Sequence, residues 1–371
     1  MYVQLSVPGK LFISGEWSIL EVGNKGLVAA VNKRAHVLIE KNNEKKFIFH
    51  AKNLGINERA TLSSGKILFD NPDSESAKVL SFAKSAVEAC LKYFKTLPPM
   101  TITTWSDDFN FVINNQTRKL GFGSSAAVVV GIVAGIFRLM EESITDPKSL
   151  ERIFKVSVAA HFLAQGKVGS GFDIAASTYG GLIVYSRFDP SWLLSEMLSG
   201  DFTGLVDSKW PALSIQSLNY PPQLKLLIAW SGESASTGDL IKNFNKWRAG
   251  DPSQAKIYLS EIANVASKAI QSLKKNDQSA FLDAIRFNRH LLSELGIVSG
   301  VKIETEALKK LADIAEVHGA AGKLSGAGGG DCGIALTYDD KVKSSIYSDW
   351  KSANIHPIDA DISIDGILSG A

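Results

Sequence analysis

Apolar and polar residues along the first half of the chain follow two patterns that predict two kinds of element. Alternating or short apolar stretches predict strands over residues 3–7, 11–17, 28–40, 45–50, 101–105 and 182–185. Longer stretches with helical spacing or continuous apolar character predict helices over residues 75–94, 126–137 and 147–165. The charged tip at 41–46 lies between two of these strands and predicts a β-hairpin. We therefore expect an α/β arrangement in this half.

The second half of the chain is dominated by helical periodicity. It predicts helices over residues 252–275, 277–295, 304–318 and 340–352 and strands over residues 224–230, 333–337 and 356–362. Helices on one face of a small antiparallel sheet form an α+β layer. The stretch 191–222 has no regular period and contains several prolines, so we expect two domains, 1–215 and 216–371.

Composition and charge exclude several classes of function. The 40 Lys and Arg residues nearly balance the 38 Asp and Glu residues, and no basic block carries interleaved aromatics, so nucleic acid is not an expected partner. The longest apolar run is too short to cross a bilayer, and the first residues lack a secretory signal pattern. Cys90 and Cys332 lack the spacing of a disulfide framework or a metal site. These features predict a cytoplasmic enzyme or binding protein with no membrane partner.

One glycine-rich stretch carries the clearest chemical signal. Gly121 and Gly123 lie directly before a predicted buried helix. Glycines allow a turn that points several backbone N–H groups inward, and the helix N-terminus adds the positive end of its dipole. Such a turn can bind phosphate, with Lys119 at its edge and the hydroxyls of Ser124 and Ser125 within reach of a phosphate oxygen or its magnesium ion. The alternative is a tight turn with a packing role alone, and the stretch is not a Walker A loop.

Two further glycine-rich stretches and two charged residues extend this pattern. Residues 166–171 contain three glycines and are followed by Asp173, while residues 326–330 are small throughout. Lys10 follows a Pro-Gly pair, where we expect a turn between the first two strands. Taken alone, this lysine fits a solvated surface charge and Asp173 fits a partner of a helix dipole. Taken together, backbone donors, a cation and a carboxylate are what phosphoryl transfer requires.

These motifs resemble those of the GHMP kinases, in order and in spacing, across nearly the whole chain. The matching residues are Pro8-Gly9-Lys10 with Gly15-Glu16, Gly121 to Ala127, and Lys323 to Gly330. Residues 164–173, 230–237 and 330–333 are most similar to the phosphomevalonate kinases of this superfamily.

The resemblance implies a fold, a reaction and its cofactors. The fold is α+β with two domains, an N-terminal α/β domain that carries the glycine-rich phosphate loop and a ferredoxin-like C-terminal domain. The implied reaction transfers the γ-phosphoryl group of ATP, with Mg²⁺, to the small-molecule substrate 5-phosphomevalonate. The product is 5-diphosphomevalonate, and the site is expected in the cleft between the two halves.

The resemblance also assigns roles to residues at matching positions. Lys10 and Asp173 are the expected catalytic pair, and Ser125 is the expected Mg²⁺ ligand. The expected ATP-binding residues are Lys119, Gly121, Phe122, Gly123, Ser124, Ser125 and Ala126. The expected substrate-binding residues are Lys10, Lys167, Gly169, Ser170, Gly171, Ser236, Thr237, Ala327 and Gly328.

Phe122, His161 and Asp173 each bear on how closely the site follows the family pattern. Phe122 stands where leucine is usual in the family, a conservative apolar change. His161 stands roughly where mevalonate kinases carry a magnesium-binding glutamate, but a neutral imidazole is a poor ligand for a hard cation, so we expect a structural role. Asp173 is expected to hold Lys10 in place, because a phosphate monoester with a second pKa of about 6 needs no general base at neutral pH.

Other functions of the same superfamily remain open at this point. The nearest is mevalonate kinase, whose acceptor is a hydroxyl, and more distant ones are diphosphomevalonate decarboxylase and a ligand sensor without catalysis. Lys167 favours a phosphorylated acceptor, since a second phosphate calls for an additional cation. The presence of both Lys10 and Asp173 favours an active enzyme. A monomer and a homodimer are both compatible with the sequence.

Overall fold

The computed structural model describes residues 2–107, 110–113, 116–166 and 169–370, and within 110–119 it describes the backbone alone. The strands are β1 (Tyr2–Ser14), β2 (Lys25–Lys41), β3 (Phe47–Ala51), β4 (Ile56–Ser63), β5 (Lys66–Phe69), β6 (Met100–Ser106), β7 (Asn110–Ile113), β8 (Gln116–Lys119), β9 (Leu182–Ser186), β10 (Ser214–Leu218), β11 (Lys225–Trp230), β12 (Ala321–Leu324), β13 (Cys332–Thr337), β14 (His356–Ile358) and β15 (Leu368–Ser369). The helices are α1 (Glu75–Val79), α2 (Ser81–Phe94), α3 (Ser124–Leu139), α4 (Pro147–Ala164), α5 (Phe172–Tyr179), α6 (Pro190–Ser199), α7 (Phe202–Asp207), α8 (Thr237–Gly250), α9 (Pro252–Lys274), α10 (Gln278–Ser299), α11 (Glu306–Val317) and α12 (Val342–Ser352).

The first half of the chain builds a large, mostly antiparallel sheet. Its order is β10-β9-β2-β6-β3-β4-β5, and β1 pairs with β2 and β15. Strand β2 is long enough to pair with β1 along most of its length, with β9 near its start and with β6 near its end. Strand β10 spans the expected boundary at residue 215 and belongs to this sheet.

The second half builds a smaller, fully antiparallel sheet with the order β12-β13-β11-β14. Its strands and the intervening helices follow the β-α-β-β-α-β order of a ferredoxin-like domain, which confirms the expected two-domain α+β fold. Helix α11 packs its apolar face on β12 and β13. The last residues return to the first sheet, where Val31 forms a bridge with Ile362.

Helix α3 lies directly on the large sheet because two of its glycines remove side chains from the contact. A Cβ atom built on Gly131 would lie 2.6 Å from Val37 Cγ2, and one built on Gly135 would lie 2.7 Å from Ile39 Cδ1. Twelve residues of this helix are buried, so its run of Val, Ile and Ala side chains is packed nearly all round. This close approach fixes the position of the helix N-terminus, where the glycine turn lies.

Several sequence expectations about strands are wrong. The predicted hairpin of 28–40 with 45–50 does not form, because β6 returns after α2 and inserts between β2 and β3, pairing in parallel with β3. The predicted turn at Lys10 is a bulge with a register shift between Pro8 and Gly9, so β1 continues through it as one strand. Residues 107–118, expected to be a loop, contain the paired strands β7 and β8.

The helices of the described residues also bear on membrane association. None of them combines the length and the apolar character that crossing a bilayer requires.

Candidate active site

A cleft of about 720 Å³ opens between the two halves of the molecule. Its walls come from β1, from the turns before α3 and α5, from the start of α8 and from the loop between β12 and β13. The predicted site residues that line it are Lys10, Gly121, Phe122, Gly123, Ser124, Ser125, Gly169, Ser170, Asp173, Thr237, Ala327 and Gly328. The three glycine-rich stretches therefore meet at one cleft although they are far apart in the sequence.

The turn before α3, which we call the phosphate turn (residues 121–123), has the backbone geometry that its glycines allow. Gly121 and Gly123 have φ values of 70° and 75°, in the left-handed region. Phe122 is buried between them, and its carbonyl accepts a hydrogen bond of 2.9 Å from the backbone N–H of Lys10. The N-cap residue of α3, Gly123, has no side chain to cap the N-terminus of the helix, and no other side chain of the described residues is seen to cap it. The first amides of the helix are therefore available to an anion in the cleft.

Lys10 projects from the bulge of β1 to the edge of the phosphate turn. Its Nζ donates a hydrogen bond of 2.6 Å to the carbonyl of Gly121 and lies 5.7 Å from the ring centre of Phe172. A Cβ atom on Gly123 would lie 3.1 Å from Lys10 Cγ, so the lysine stem packs on the turn. Burial lowers the pKa of Lys10, while the nearby charges of Asp173, Asp331 and Cys332 raise it.

Asp173 lies in the first turn of α5, close to a buried histidine. His161 Nε2 lies 3.9 Å from Asp173 Oδ2 and 3.2 Å from Ser125 Oγ, and its side chain is only 3% exposed. Within the described part of the chain, no carboxylate oxygen lies within 4.0 Å of Lys10 Nζ. Asp173 thus influences Lys10 through charge at a distance, and the expected direct support of the lysine is not seen. His161, for which the sequence favours a structural role, instead contacts Ser125.

The third glycine-rich stretch, residues 326–330, packs against the backbone on both sides. A Cβ atom on Gly328 would lie 2.1 Å from the carbonyl oxygen of Ile303, and Gly329 N–H donates to the same oxygen at 2.8 Å. The stretch ends at Asp331, whose carboxylate lies against Gly121. Burial raises the pKa of Asp331, and Lys10 lowers it. The loop therefore carries a carboxylate from the C-terminal half to the phosphate turn.

Two residues that the sequence did not indicate, Arg187 and Tyr185, donate hydrogen bonds to backbone carbonyls of the turn before α5. Arg187 donates hydrogen bonds to the carbonyls of Leu20, at 3.0 Å, and Gly169, at 3.4 Å. The hydroxyl of Tyr185 donates to the carbonyl of Ser170 at 2.6 Å. Because the C=O and N–H of a trans peptide point in opposite directions, the amides that follow these carbonyls face away from Arg187 and Tyr185. Among the described residues, the N–H groups of Ser170 and Gly171 have no hydrogen-bond acceptor.

A buried ion pair joins the two halves beside the cleft. Lys323, expected to begin the third glycine-rich stretch, lies in β12 and contacts Glu16, and both side chains are almost completely buried. Lys323 Nζ also donates to the carbonyl of Leu324 at 2.6 Å. The hydroxyl of Ser325 donates to the carbonyl of Phe12 and accepts from its N–H, each at 2.9 Å. We call these four residues, Glu16, Lys323, Ser325 and Phe12, the seam.

Of the other predicted site residues, some do not line the cleft and others have side chains or positions that the structure does not describe. Ala126 is fully buried in the first turn of α3, Gly171 adopts a φ of 83° against Tyr185, and Ser236 caps α8 by accepting from the N–H of Asp239. The backbone of Lys119 ends β8, and its side chain lies outside the description. Lys167 is outside the described residues altogether.

The cleft offers few side-chain groups that could bind a metal ion. Within the described residues, no group of three or more His, Cys, Asp or Glu side chains could hold an ion by itself. Ser125 offers a hydroxyl at the start of α3, directly beside the phosphate turn. A site with so few protein ligands fits Mg²⁺, which is commonly bound by one or two protein oxygens together with phosphate oxygens and water.

Comparison with known proteins adds a family and several relatives. Residues 81–181 match the GHMP kinases N terminal domain, and residues 269–356 match the GHMP kinases C terminal family. The chain is 30% identical over 376 residues to a phosphomevalonate kinase of Streptomyces sp. (strain CL190), covering 97% of each protein. It is 27% identical over 375 residues to a mevalonate kinase of Thermococcus gammatolerans, covering 99% of this chain and 98% of the relative.

Solved structures agree with this picture at the level of the fold. The Lin0012 protein from Listeria innocua superimposes with a TM-score of 0.88 at 28% identity, covering 100% of this chain and 99% of that one. The Streptococcus pneumoniae phosphomevalonate kinase in complex with phosphomevalonate and AMPPNP superimposes with a TM-score of 0.81 at 21% identity, covering 98% and 99%.

Proposed function

The chain belongs to the GHMP kinase family, and we propose that it transfers the γ-phosphoryl group of ATP to 5-phosphomevalonate, giving 5-diphosphomevalonate and ADP. The observation that carries the proposal is the position of Lys10. Its ammonium group lies at the edge of the phosphate turn and faces the same cleft as the turn before α5. A cation in that place lies between a donor phosphate bound at one turn and an acceptor bound at the other.

The bond changes of the reaction define what the site has to supply. An oxygen of the acceptor phosphate forms a bond to the γ-phosphorus as the bond from that phosphorus to the β–γ bridging oxygen breaks, and ADP leaves with the electron pair. A phosphate monoester has a second pKa of about 6, so the acceptor is mostly dianionic at neutral pH and no proton has to be removed. The main barrier for the protein to lower is repulsion between two anions, and Lys10 supplies the charge that lowers it.

The donor side of the cleft has parts suited to ATP and its metal. The uncapped N-terminus of α3 and the phosphate turn would hold the phosphates, and Ser125 would hold Mg²⁺, which offsets their negative charge when bound. His161 accepts or donates at Ser125 Oγ and so fixes the direction of that hydroxyl. Leu54, Val79 and Trp105, which also line the cleft, offer apolar surface for a purine base.

The acceptor side is the turn before α5. Arg187 and Tyr185 donate hydrogen bonds to the carbonyls of Gly169 and Ser170, which supports binding of the acceptor phosphate by the amide of Ser170, a residue that lines the cleft. Helix α5 begins at Phe172, and its N-cap residue, Gly171, has no side chain to cap it, so the N-terminus of the helix adds a positive dipole end. Lys167, from the same stretch of sequence, is proposed to add a cation to the acceptor phosphate.

An assay of ADP release tests the proposal directly. The protein is supplied with ATP and Mg²⁺ together with mevalonate, phosphomevalonate or diphosphomevalonate in turn. We expect turnover with phosphomevalonate that exceeds turnover with mevalonate by at least about 100-fold, because the acceptor turn would lack its anion with mevalonate. Preference for mevalonate, as the name of the Thermococcus relative suggests, would contradict the proposal, and so would decarboxylation of diphosphomevalonate.

A further inference from the structure

We propose that Asp331 is a positioning residue for Lys10, a carboxylate supplied by the C-terminal half that keeps the lysine charged and directed toward the phosphates. This inference rests on the proposed function of Lys10, but not on the identity of the acceptor. It adds a residue to the site that neither the motif around Lys10 nor that around Asp173 contains.

Gly121 brings the two charged groups together. A Cβ atom built on Gly121 would lie 3.0 Å from Asp331 Cβ and 3.0 Å from Asp331 Oδ2, so the carboxylate lies against the glycine. Lys10 Nζ donates to the carbonyl of this same glycine at 2.6 Å. Lysine and carboxylate therefore share one residue of the phosphate turn, although they come from opposite halves of the chain.

The backbone at Asp331 is fixed in a conformation that aims its side chain at this glycine. Asp331 has a φ of 55°, which is uncommon for a residue other than glycine. Its N–H donates to the carbonyl of Glu233 at 2.8 Å, and its carbonyl accepts from the N–H of Ser231 at 2.9 Å. The backbone N–H of Ala235 lowers the pKa of this carboxylate, against the effect of burial. Contacts on each side thus hold the aspartate in place before any ligand binds.

The charges around Lys10 show why a second carboxylate matters. Burial lowers the pKa of Lys10, and the neighbouring groups that oppose this effect are Asp173 on α5, Asp331 and Cys332. The Cys332 thiol is itself kept neutral because burial raises its pKa, and it donates a hydrogen bond to the carbonyl of Leu120 at 2.9 Å. Among the described residues, Asp173 and Asp331 are therefore the charged groups that favour the protonated lysine, one from each half of the molecule.

The distances keep the lysine available to substrate. Lys10 forms no ion pair within 4.0 Å with any carboxylate of the described residues, so Asp331 stabilises the charge without occupying the N–H donors. One of the three donors goes to Gly121, and the others remain for phosphate oxygens. Because Asp331 follows the third glycine-rich stretch, the protonation of Lys10 also depends on how that stretch lies against the phosphate turn.

The test measures the protonation of Lys10 in the resting full-length protein, without substrates. Trace acetylation with acetic anhydride over a pH series, read by mass spectrometry of the peptide that contains Lys10, gives the pH at which its amine becomes reactive. In Asp331→Asn we expect this midpoint to fall by about one pH unit, a tenfold loss of proton affinity. Asparagine accepts the left-handed backbone, so the variant removes charge without adding strain.

Two further variants make the result specific. Asp331→Gly also suits a positive φ and should shift the Lys10 midpoint as Asp331→Asn does. Asp340→Asn removes an exposed carboxylate that pairs with Lys225 at 3.2 Å and should leave the midpoint unchanged. Thermal unfolding of each variant verifies the fold. An unchanged midpoint in folded Asp331→Asn and Asp331→Gly would overturn the proposal.

Turnover supplies a second readout with a distinctive pH dependence. As the pH rises from about 7 to about 9.5, the ratio of wild-type to Asp331→Asn kcat/KM should grow by up to about tenfold, because the variant loses the charged lysine first. A loss of activity that is the same at every pH would mean a role unrelated to Lys10 and would overturn the proposal. If the wild-type protein fails to use phosphomevalonate while the acetylation midpoint shifts as expected, the proposed substrate is wrong and the role of Asp331 stands.

Discussion

Lys10 is half-buried at the cleft and Lys323 is completely buried, and the two lysines differ in which groups surround their charge. Lys323 contacts Glu16 directly and donates to the carbonyl of Leu324, so two of its three donors are used within the protein. Lys10 has carboxylates nearby but none in contact among the described residues, and one carbonyl, that of Gly121, accepts from it. Burial lowers the pKa of each.

The difference separates a residue that joins domains from a residue that acts on substrate. A buried ion pair with full contact stabilises a particular arrangement of the chain, and removing one partner leaves an uncompensated charge. A desolvated cation without a contacting carboxylate retains donors for a ligand. Distance to the carboxylate, more than burial, distinguishes the two roles here. Each of the following variants tests this distinction.

Lys10→Met should have the largest effect, and on activity alone. We expect kcat to fall by about 10³- to 10⁴-fold, since the charge that offsets repulsion between the phosphates is gone. The unfolding midpoint should change little, because no ion pair is broken and methionine fills a similar volume. Steady-state kinetics and urea unfolding measure the two quantities. A large loss of stability with modest loss of kcat would reverse the assignment of the two lysines.

Lys323→Met should have its effect on stability. Glu16 would remain buried without its partner, and we expect the free energy of unfolding to fall by about 3–5 kcal/mol. The double variant Glu16→Gln with Lys323→Met should recover most of that loss, since the unpaired charge is removed. Urea unfolding of Lys323→Met, of Glu16→Gln and of the double variant completes the cycle. Full stability in Lys323→Met would show that the ion pair of the seam contributes nothing to stability.

Gly123→Val should act on the donor side of the Lys10 region. A side chain at this position meets the stem of Lys10 at 3.1 Å and has to adopt a φ of 75°. We expect kcat/KM for ATP to fall by roughly 100-fold, because backbone strain and the added methyl groups keep phosphate from the turn. Nucleotide affinity is measured by calorimetry on a sample whose folding circular dichroism has verified. Ordinary affinity in such a sample would remove the phosphate turn from the site.

Ser325→Ala should have the smallest effect, again on stability. The backbone N–H and carbonyl of Phe12 would each lose a partner at 2.9 Å, and we expect a cost of about 1–2 kcal/mol. Thermal unfolding measures the loss, and kcat should stay within about threefold of wild type. A drop in kcat similar to that of Lys10→Met would mean that Ser325 meets substrate, as its place in the cleft lining permits.

The sequence predicted the local elements well and the long-range contacts poorly. Periodicity located the long helices, such as α4 and α9, within one or two residues of their observed ends. The apolar face of a helix comes from residues three or four positions apart, so its pattern is local in the sequence. It did not predict that β6 separates β2 from β3, since strand pairing depends on residues far apart in the chain.

In the site too, features with a local sequence pattern were predicted and contacts between distant segments were not. Glycine content indicated the phosphate turn before its geometry was seen, because positive φ values favour that residue. The pairing of Glu16 with Lys323 and the contact of His161 with Ser125 join distant segments and leave no local signal. Asp331 did have a signal, as a charged residue directly after five small ones, but its partner on the phosphate turn could not be read from the sequence.

In the proposed reaction a charged lysine, and not a general base, drives transfer between two phosphates. The most direct measurement is the pH dependence of kcat for wild type, Asp173→Asn and Lys10→Met with phosphomevalonate as acceptor. Asp173→Asn should cost less than Lys10→Met and should keep the wild-type rise of rate near pH 6, because that rise reports ionisation of the substrate phosphate. If Asp173→Asn is the more damaging variant and the acidic rise disappears with it, Asp173 acts as a general base and the claim is wrong.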